Sequence, residues 1–225
     1  MPSAVKIPTI EALKQESFSE LTEGDLGTIR DKLTNQKTYL LIRRFLDIIL
    51  ALTALVLFSP VWLLLIILIR LDSRGRAIFI HKRIGKDGKL FTLYKFRTMH
   101  QGVKKEEYAP ISLKDPRITR IGKVLRRTSL DEIPQLLNVL KGEMSLVGPR
   151  PEMKFIVDTY TPLQRKRLLV KPGITGLWQI MGRKDLPLHE NVEFDLYYIM
   201  NRSLLLDLKI MLKTIIVVMI GKGAY

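Results

Sequence analysis

The run Arg126-Arg127-Thr128-Ser129-Leu130-Asp131-Glu132-Ile133-Pro134 sets two adjacent acids less than two helical turns after two guanidinium groups. These are parts for phosphoryl chemistry. A carboxylate can attack phosphorus to give an acyl phosphate, guanidinium groups can hold phosphate oxygens through paired hydrogen bonds, and neighbouring acids can bind Mg²⁺. A blander reading stands beside it, because Ser129-x-x-Glu132 also matches a capping box that merely starts a helix. Pro134 argues against the simplest version of that box: a helix starting at Leu130 or Asp131 makes it a first-turn proline and puts both carboxylates at the helix mouth, where free N–H groups favour their ionised forms. Arg150 lies between Pro149 and Pro151 and is either a further phosphate clamp on a rigid loop or a surface turn.

Such groups need elements to position them. Residues 77–99, AIFIHKRIGKDGKLFTLYKFRTM, alternate around Gly85-Lys86-Asp87-Gly88 and predict a β-hairpin. Residues 102–118, with Pro110 and Pro116, predict loop; helical patterns follow at 119–127, 133–141 and 152–169, punctuated by Gly148-Pro149-Arg150-Pro151 and Lys171-Pro172-Gly173. The apolar stretch from Ser203 carries Asp207, Lys209 and Lys213, which suits an interfacial amphipathic helix better than a membrane span. His81, His100 and His189 have no metal-ligand spacing. Lys95, Arg97, Arg117, Arg120, Lys123, Arg165, Lys166 and Arg167 can bind phosphates or simply face solvent, and core packing is the default for Trp178.

The segment that sets the class is Ile48 to Ile69, 22 residues without a charge. At about 1.5 Å per residue it reaches roughly 33 Å, the scale of a bilayer's hydrocarbon core. Ser59-Pro60 near its middle should bend it, since proline removes a donor and clashes with the carbonyl of Val56. The arms on either side are each too short to cross. Arg43 and Arg44 before the run and Arg70, Arg74 and Arg76 after it favour both ends on the cytoplasmic side. A re-entrant hairpin-like helix follows; the alternative is a kinked single span with residues 1–38 outside. Asp47, one turn after Arg43, can pair with it.

The chain has 225 residues, no cysteine and a net charge of +15. Disulfides, thiolate metal sites and a cysteine nucleophile are excluded. Residues 1–38 hold five basic and six acidic groups, so +16 falls on residues 39–225, a surface suited to polyanions. The organisation expected is a polar extension over 1–38, a re-entrant membrane helix over 39–72 and a catalytic domain over 73–225. The class expected is α+β, mostly helical, with a β-hairpin and amphipathic interfacial helices.

The runs RRFLDIILALTALVLFSP, FIHKRIGKDGKLFTLYKFRTM, DPRITRIGKVLRRTSLDEIPQLLNVLKGEMSLVGPRPE, KPGITGLWQIMGR and FDLYYIMNRSLLLDLKIMLKTI resemble the bacterial sugar transferases, the monotopic phosphoglycosyl transferases. They follow in order through nearly all of residues 43–225. The resemblance implies transfer of a sugar-1-phosphate from a UDP-sugar to polyprenyl (undecaprenyl) phosphate, with release of UMP and a need for Mg²⁺, as the first step of exopolysaccharide or O-antigen assembly. It implies Asp131 as nucleophile through an aspartyl phosphosugar, Glu132 holding the metal or handling a proton, Arg126 and Arg150 as phosphate binders, and Ser59-Pro60 as the break that makes the membrane helix re-entrant. It further implies the cytoplasmic face of a bacterial plasma membrane, contact with membrane lipids, no nucleic acid and scope for a homodimer. Some relatives read GITGWAQVNGR where this chain has GITGLWQIMGR, and Met181 departs from the pattern. Against this stand a membrane-tethered basic adaptor that binds nucleic acid or anionic lipid without catalysis, and a phosphatase-like hydrolase using the same Asp131.

Overall fold

Phe58 is the single residue between two helices, α1 (Lys37–Leu57) and α2 (Ser59–Asp72), whose axes differ by 61°. Pro60 has no N–H to offer the carbonyl of Val56, and the Ser59 hydroxyl donates to that carbonyl instead, at 2.8 Å. In this computed structural model residues 7, 35–103, 110, 112–181 and 192–220 are described. Most of the 1–38 extension, His189 and parts of the 102–118 loop lie outside them. Among the described residues no single helix is long and apolar enough to cross a membrane, whereas the bent pair together has the length and composition.

Each arm is fastened to the body by its polar residues. Arg43, Asp47 and Ala51, spaced four apart, form the buried stripe of α1. Asp47 does not pair with Arg43 as the helical spacing allowed; it accepts from the Ser145 hydroxyl at 2.5 Å and from the Leu146 N–H at 3.0 Å. Arg43 donates to the Val147 carbonyl and faces Asp207 at 3.6 Å, and Tyr39 and Tyr198 both donate to that aspartate at 2.7 Å. Asp207 is therefore buried rather than part of a polar outer face. At the far end of α2, Arg97 donates to the carbonyls of Ser73 and Arg74, both at 2.6 Å, and Asp72 accepts from the Ile121 N–H at 2.9 Å. The remaining faces of both arms expose Leu41, Phe45, Val56, Leu63 and Leu71.

The expected hairpin is present: β1 (Ile78–Ile84) pairs antiparallel with β2 (Leu90–Phe96), with Phe79 opposite Lys95 and His81 opposite Leu93. Its turn takes positive φ at Asp87 and Gly88, the residue types that tolerate it best. Helix α3 (Arg120–Thr128), capped by Thr119, packs so closely against the chain just after β2 that a Cβ at Gly122 would stand 2.1 Å from the Thr98 carbonyl oxygen. A 3₁₀ turn over Leu130–Gln135 then runs into α4 (Leu136–Lys141).

Beyond it the chain forms a second sheet that residue patterning does not announce, a parallel pair of β3 (Ser145–Val147) and β4 (Gly173–Thr175). Gly148 and Gly173 let the two backbones meet, since a Cβ on Gly173 would lie 2.1 Å from the Gly148 nitrogen. The single helix expected over 152–169 is instead three short pieces: α5 (Lys154–Val157), α6 (Pro162–Arg165) and a 3₁₀ turn over Lys166–Leu169. Thr161, Pro162 and Gln164 restart the chain with a complete capping box, which outweighs the continuous periodicity. Helices α7 (Leu177–Met181), α8 (Glu193–Asn201) and α9 (Leu204–Ile220) close the fold around Trp178, Phe194, Leu196, Tyr198 and Leu206. The result is mostly helical α+β with small two-stranded sheets.

Candidate active site

Ser129 ends α3 in the left-handed region, φ 57°, a conformation costing an L-residue about 1 kcal/mol. Its side chain caps nothing, so the capping-box reading does not hold. The reversal turns Asp131 and Glu132, two and three residues on, back beneath the hairpin, while Pro134 falls fifth in the 3₁₀ turn, not in the first turn of a helix. The carboxylates meet side-chain cations there. Lys95 Nζ stands 2.6 Å from Glu132 Oε1 and 3.9 Å from Asp131 Oδ2, and Arg150 donates to the same Glu132 oxygen at 3.1 Å. Among the described residues no hydrogen-bond donor reaches Asp131.

The pair is nearly enclosed, with Asp131 13% and Glu132 17% exposed, and the two acids are driven apart. Burial lifts Asp131 above the ordinary carboxylate range; Lys95 opposes that lift, and the Glu132 charge adds to it. Burial alone would raise Glu132 as well, but Lys95 and Arg150 together hold it down at about 2. Glu132 is thus a fixed negative charge and Asp131 a more basic, unencumbered one, a division of labour typical of catalytic acid pairs. This corrects the expectation that a helix mouth would favour ionisation of both. Burial lowers Arg126, and its Nε donates to the Thr98 hydroxyl at 2.9 Å, while Arg150 is raised by Glu132.

These groups line a cavity of about 1040 Å³. Phe79, His81 and Lys95 on the inner face of the hairpin line it, together with Arg126, Thr175, Trp178 and Thr214. Of the residues singled out by sequence, Asp131, Glu132, Arg126 and Arg150 share this cavity, and Arg150 reaches the dyad directly. Ser59 and Pro60 stand apart at the bend. His81 stacks on Phe79 with ring centroids 5.8 Å apart and belongs to the wall rather than to a metal. Lys95 stood in the sequence only among several cations. The signal that distinguishes it is its inward position on β2, in phase with the buried Phe91 and Leu93.

Among the described residues no cluster of three or more acids and histidines could cage a metal. Two adjacent carboxylates nevertheless suit Mg²⁺, which commonly takes one or two protein carboxylates and completes its shell with substrate phosphates and water. Asp131 and Glu132 are the donors that would hold it.

A family profile described as bacterial sugar transferase matches residues 38–221. The exopolysaccharide production protein ExoY of Sinorhizobium fredii is 41% identical over 198 residues, covering 81% of this chain and 88% of the relative. The undecaprenyl-phosphate galactose phosphotransferase of Salmonella typhimurium is 43% identical over 224 residues, covering 93% of this chain and 47% of its own length. The UDP-N-acetylgalactosamine-undecaprenyl-phosphate N-acetylgalactosaminephosphotransferase of Aeromonas hydrophila is 40% identical over 213 residues, with 92% and 49% covered. The chain thus spans about half the length of the latter two relatives.

Proposed function

The chain belongs to the bacterial sugar transferase family, and from that premise we propose that it moves a sugar-1-phosphate from a UDP-sugar to polyprenyl phosphate at a membrane surface, by way of a phosphosugar carried on Asp131. The observation that carries the reading is the asymmetry of the dyad: a buried aspartate without a donor beside a glutamate clamped by Lys95 and Arg150. An aspartate serving only to start a helix would be exposed and would need no such neighbours.

In the first step an Asp131 oxygen attacks the phosphorus that bears the sugar. The bridging P–O bond to the nucleotide breaks and UMP departs with that electron pair. Arg150 and Arg126 lie where they can bind phosphoryl oxygens as charge moves from the bridge to the leaving group. In the second step an oxygen of polyprenyl phosphate attacks the same phosphorus, the acyl–phosphate bond breaks, and Asp131 is regenerated as carboxylate. Glu132 keeps its negative charge throughout and fixes Lys95 and Arg150 in place. Asp131 and Glu132 would hold Mg²⁺, which would supply charge neutralisation for the dianionic donor.

The reading places the bent apolar pair in one leaflet of the bacterial plasma membrane, both ends on the cytoplasmic face, with the apolar residues of α9 (Leu208, Leu212, Ile215, Ile216 and Met219) lying on the same surface. A water-soluble nucleotide sugar and a lipid phosphate then meet at one carboxylate without either leaving its own phase. The test is incubation with radiolabelled UDP-sugars, undecaprenyl phosphate and Mg²⁺, together with intact-mass analysis without the lipid acceptor. A labelled lipid product and an adduct on Asp131 are expected; no lipid-linked product across a broad sugar panel from folded protein overturns the reading.

A further inference from the structure

Arg150 reaches the dyad from a loop poor in backbone donors, because Pro149 and Pro151 on either side of it have no N–H. Such a loop is held through its carbonyls. The Pro149 carbonyl accepts from the Gly173 N–H at 2.9 Å, which ties one side to β4. The Arg150 carbonyl accepts from the Arg167 guanidinium at 3.0 Å. Arg167 is itself buried, with its side chain 3% exposed; it donates to the Tyr160 hydroxyl and lies 2.7 Å from the Asp195 carboxylate on α8.

A buried cation is costly unless paired and hydrogen-bonded. Asp195 balances the charge, and Tyr160 accepts from one nitrogen while its ring lies beneath the guanidinium, 5.6 Å from its carbon. The remaining interaction is spent on the main chain of a site residue. We propose that Arg167 is a positioning residue: braced by Asp195 and Tyr160, it fixes the main chain of Arg150 so that the Arg150 side chain meets Glu132 and the phosphoryl group to be transferred. The catalytic part of this rests on the transfer reaction proposed above, whereas the geometric part does not. A lysine at 167 can keep the charge beside Asp195 but, as a single ammonium on a flexible stem, cannot reproduce the planar fork that reaches Arg150, Tyr160 and Asp195 together.

The experiment is a double-mutant cycle of Arg167→Lys with Arg150→Ala, read in lipid-linked product formation and in the ¹⁵N–¹H signals of the Arg150 guanidinium, which need no substrate. The expected result is that Arg167→Lys melts within a few degrees of the parent, shifts or broadens the Arg150 signals and lowers kcat tenfold or more, yet costs little further in the Arg150→Ala background. Tyr160→Phe, which removes one brace without disturbing the ion pair, should give the same pattern at smaller size, and serves in its place if Arg167→Lys does not fold. Unmoved Arg150 signals overturn the proposal, as does an equal loss in both backgrounds, the mark of a merely structural role. If the parent forms no product with any UDP-sugar, the transfer reading falls and the spectroscopic arm alone decides the positioning claim.

Discussion

Lys95 lies 1.3 Å nearer to Glu132 than to Asp131, 2.6 Å against 3.9 Å, so this lysine is committed to the acid other than the proposed nucleophile. Among the described residues Asp131, the proposed nucleophile, has only a distant cation at 3.9 Å, and Glu132 carries the short contacts to Lys95 and Arg150. That division leads to the first two predictions.

Asp131→Asn should abolish turnover, by about a thousandfold or more, and at the same time stabilise the protein. The folded-state pKa of Asp131 is raised, so its contribution is favourable below about pH 3.9 and becomes a cost as pH climbs through the folded value. At neutral pH the amide removes that cost, and each kcal/mol recovered appears as about 2–4 °C in Tm for a chain of this length. Thermal melts without Mg²⁺ or substrate test it; a lower Tm in the variant would contradict the assigned burial cost.

Glu132 shifts the other way. Its stabilisation is fully present above about pH 4.3 and is lost as the group protonates near 2. Glu132→Gln should therefore flatten the acid limb of stability between those values and leave the limb above them unchanged. Lys95→Met should move the same limb upward in pH by removing a partner that holds the carboxyl ionised. Urea midpoints taken across pH 2–6 would show both effects.

Asp207 and Arg43 form a pair 7% and 9% exposed, joining α1 to α9. Replacing the aspartate alone by Asn leaves Arg43 without its counter-charge, a loss of about 3–5 kcal/mol. Tyr39→Phe, which removes the hydroxyl that donates to Asp207 and accepts from Arg43 but leaves the ion pair in place, should cost about 1–2 kcal/mol. Denaturant titrations in a fixed detergent measure both, and similar costs for the two variants would mean that the ion pair contributes little.

The absence of native cysteine makes topology simple to read. Single cysteines at Lys37 and Arg76, on either side of the bent pair, should both label from the cytoplasmic side with an impermeant maleimide in sealed vesicles. Pro60→Ala restores the donor for the Val56 carbonyl and should move some molecules to a state in which the two positions label from opposite sides. Opposite-side labelling of the parent would rule out the re-entrant arrangement.

What the sequence made legible was local. The alternation on both sides of Gly85–Gly88 predicts the hairpin, the helical pattern over 119–127 predicts α3, and two acids beside arginines mark the dyad. What it hid depends on long-range proximity. The parallel pairing of β3 with β4 joins residues 28 apart, 145 with 173, and leaves only prolines and glycines as its trace. Lys95 needed the strand register to reveal its inward direction. Arg167 looked like one more surface cation because its partners Tyr160, Asp195 and Arg150 meet only after the chain folds. The continuous helix expected over 152–169 is broken for a local reason instead: the stop-and-restart signal of Thr161-Pro162-x-Gln164 outweighs the hydrophobic spacing.

The elbow at Phe58 has a mechanical meaning. One limb is riveted through Asp47 and Arg43 to the strand that leads into Arg150; the other is riveted through Asp72 and the Ser73 carbonyl to the helix and strand end beside Arg126. Each limb is thus joined to one of the two stretches that carry the arginines of the cavity. If the limbs lie in a leaflet as proposed, the angle between them is set against the thickness of the lipid sheet, and a change in that thickness would be felt first at the two places where Arg150 and Arg126 are anchored.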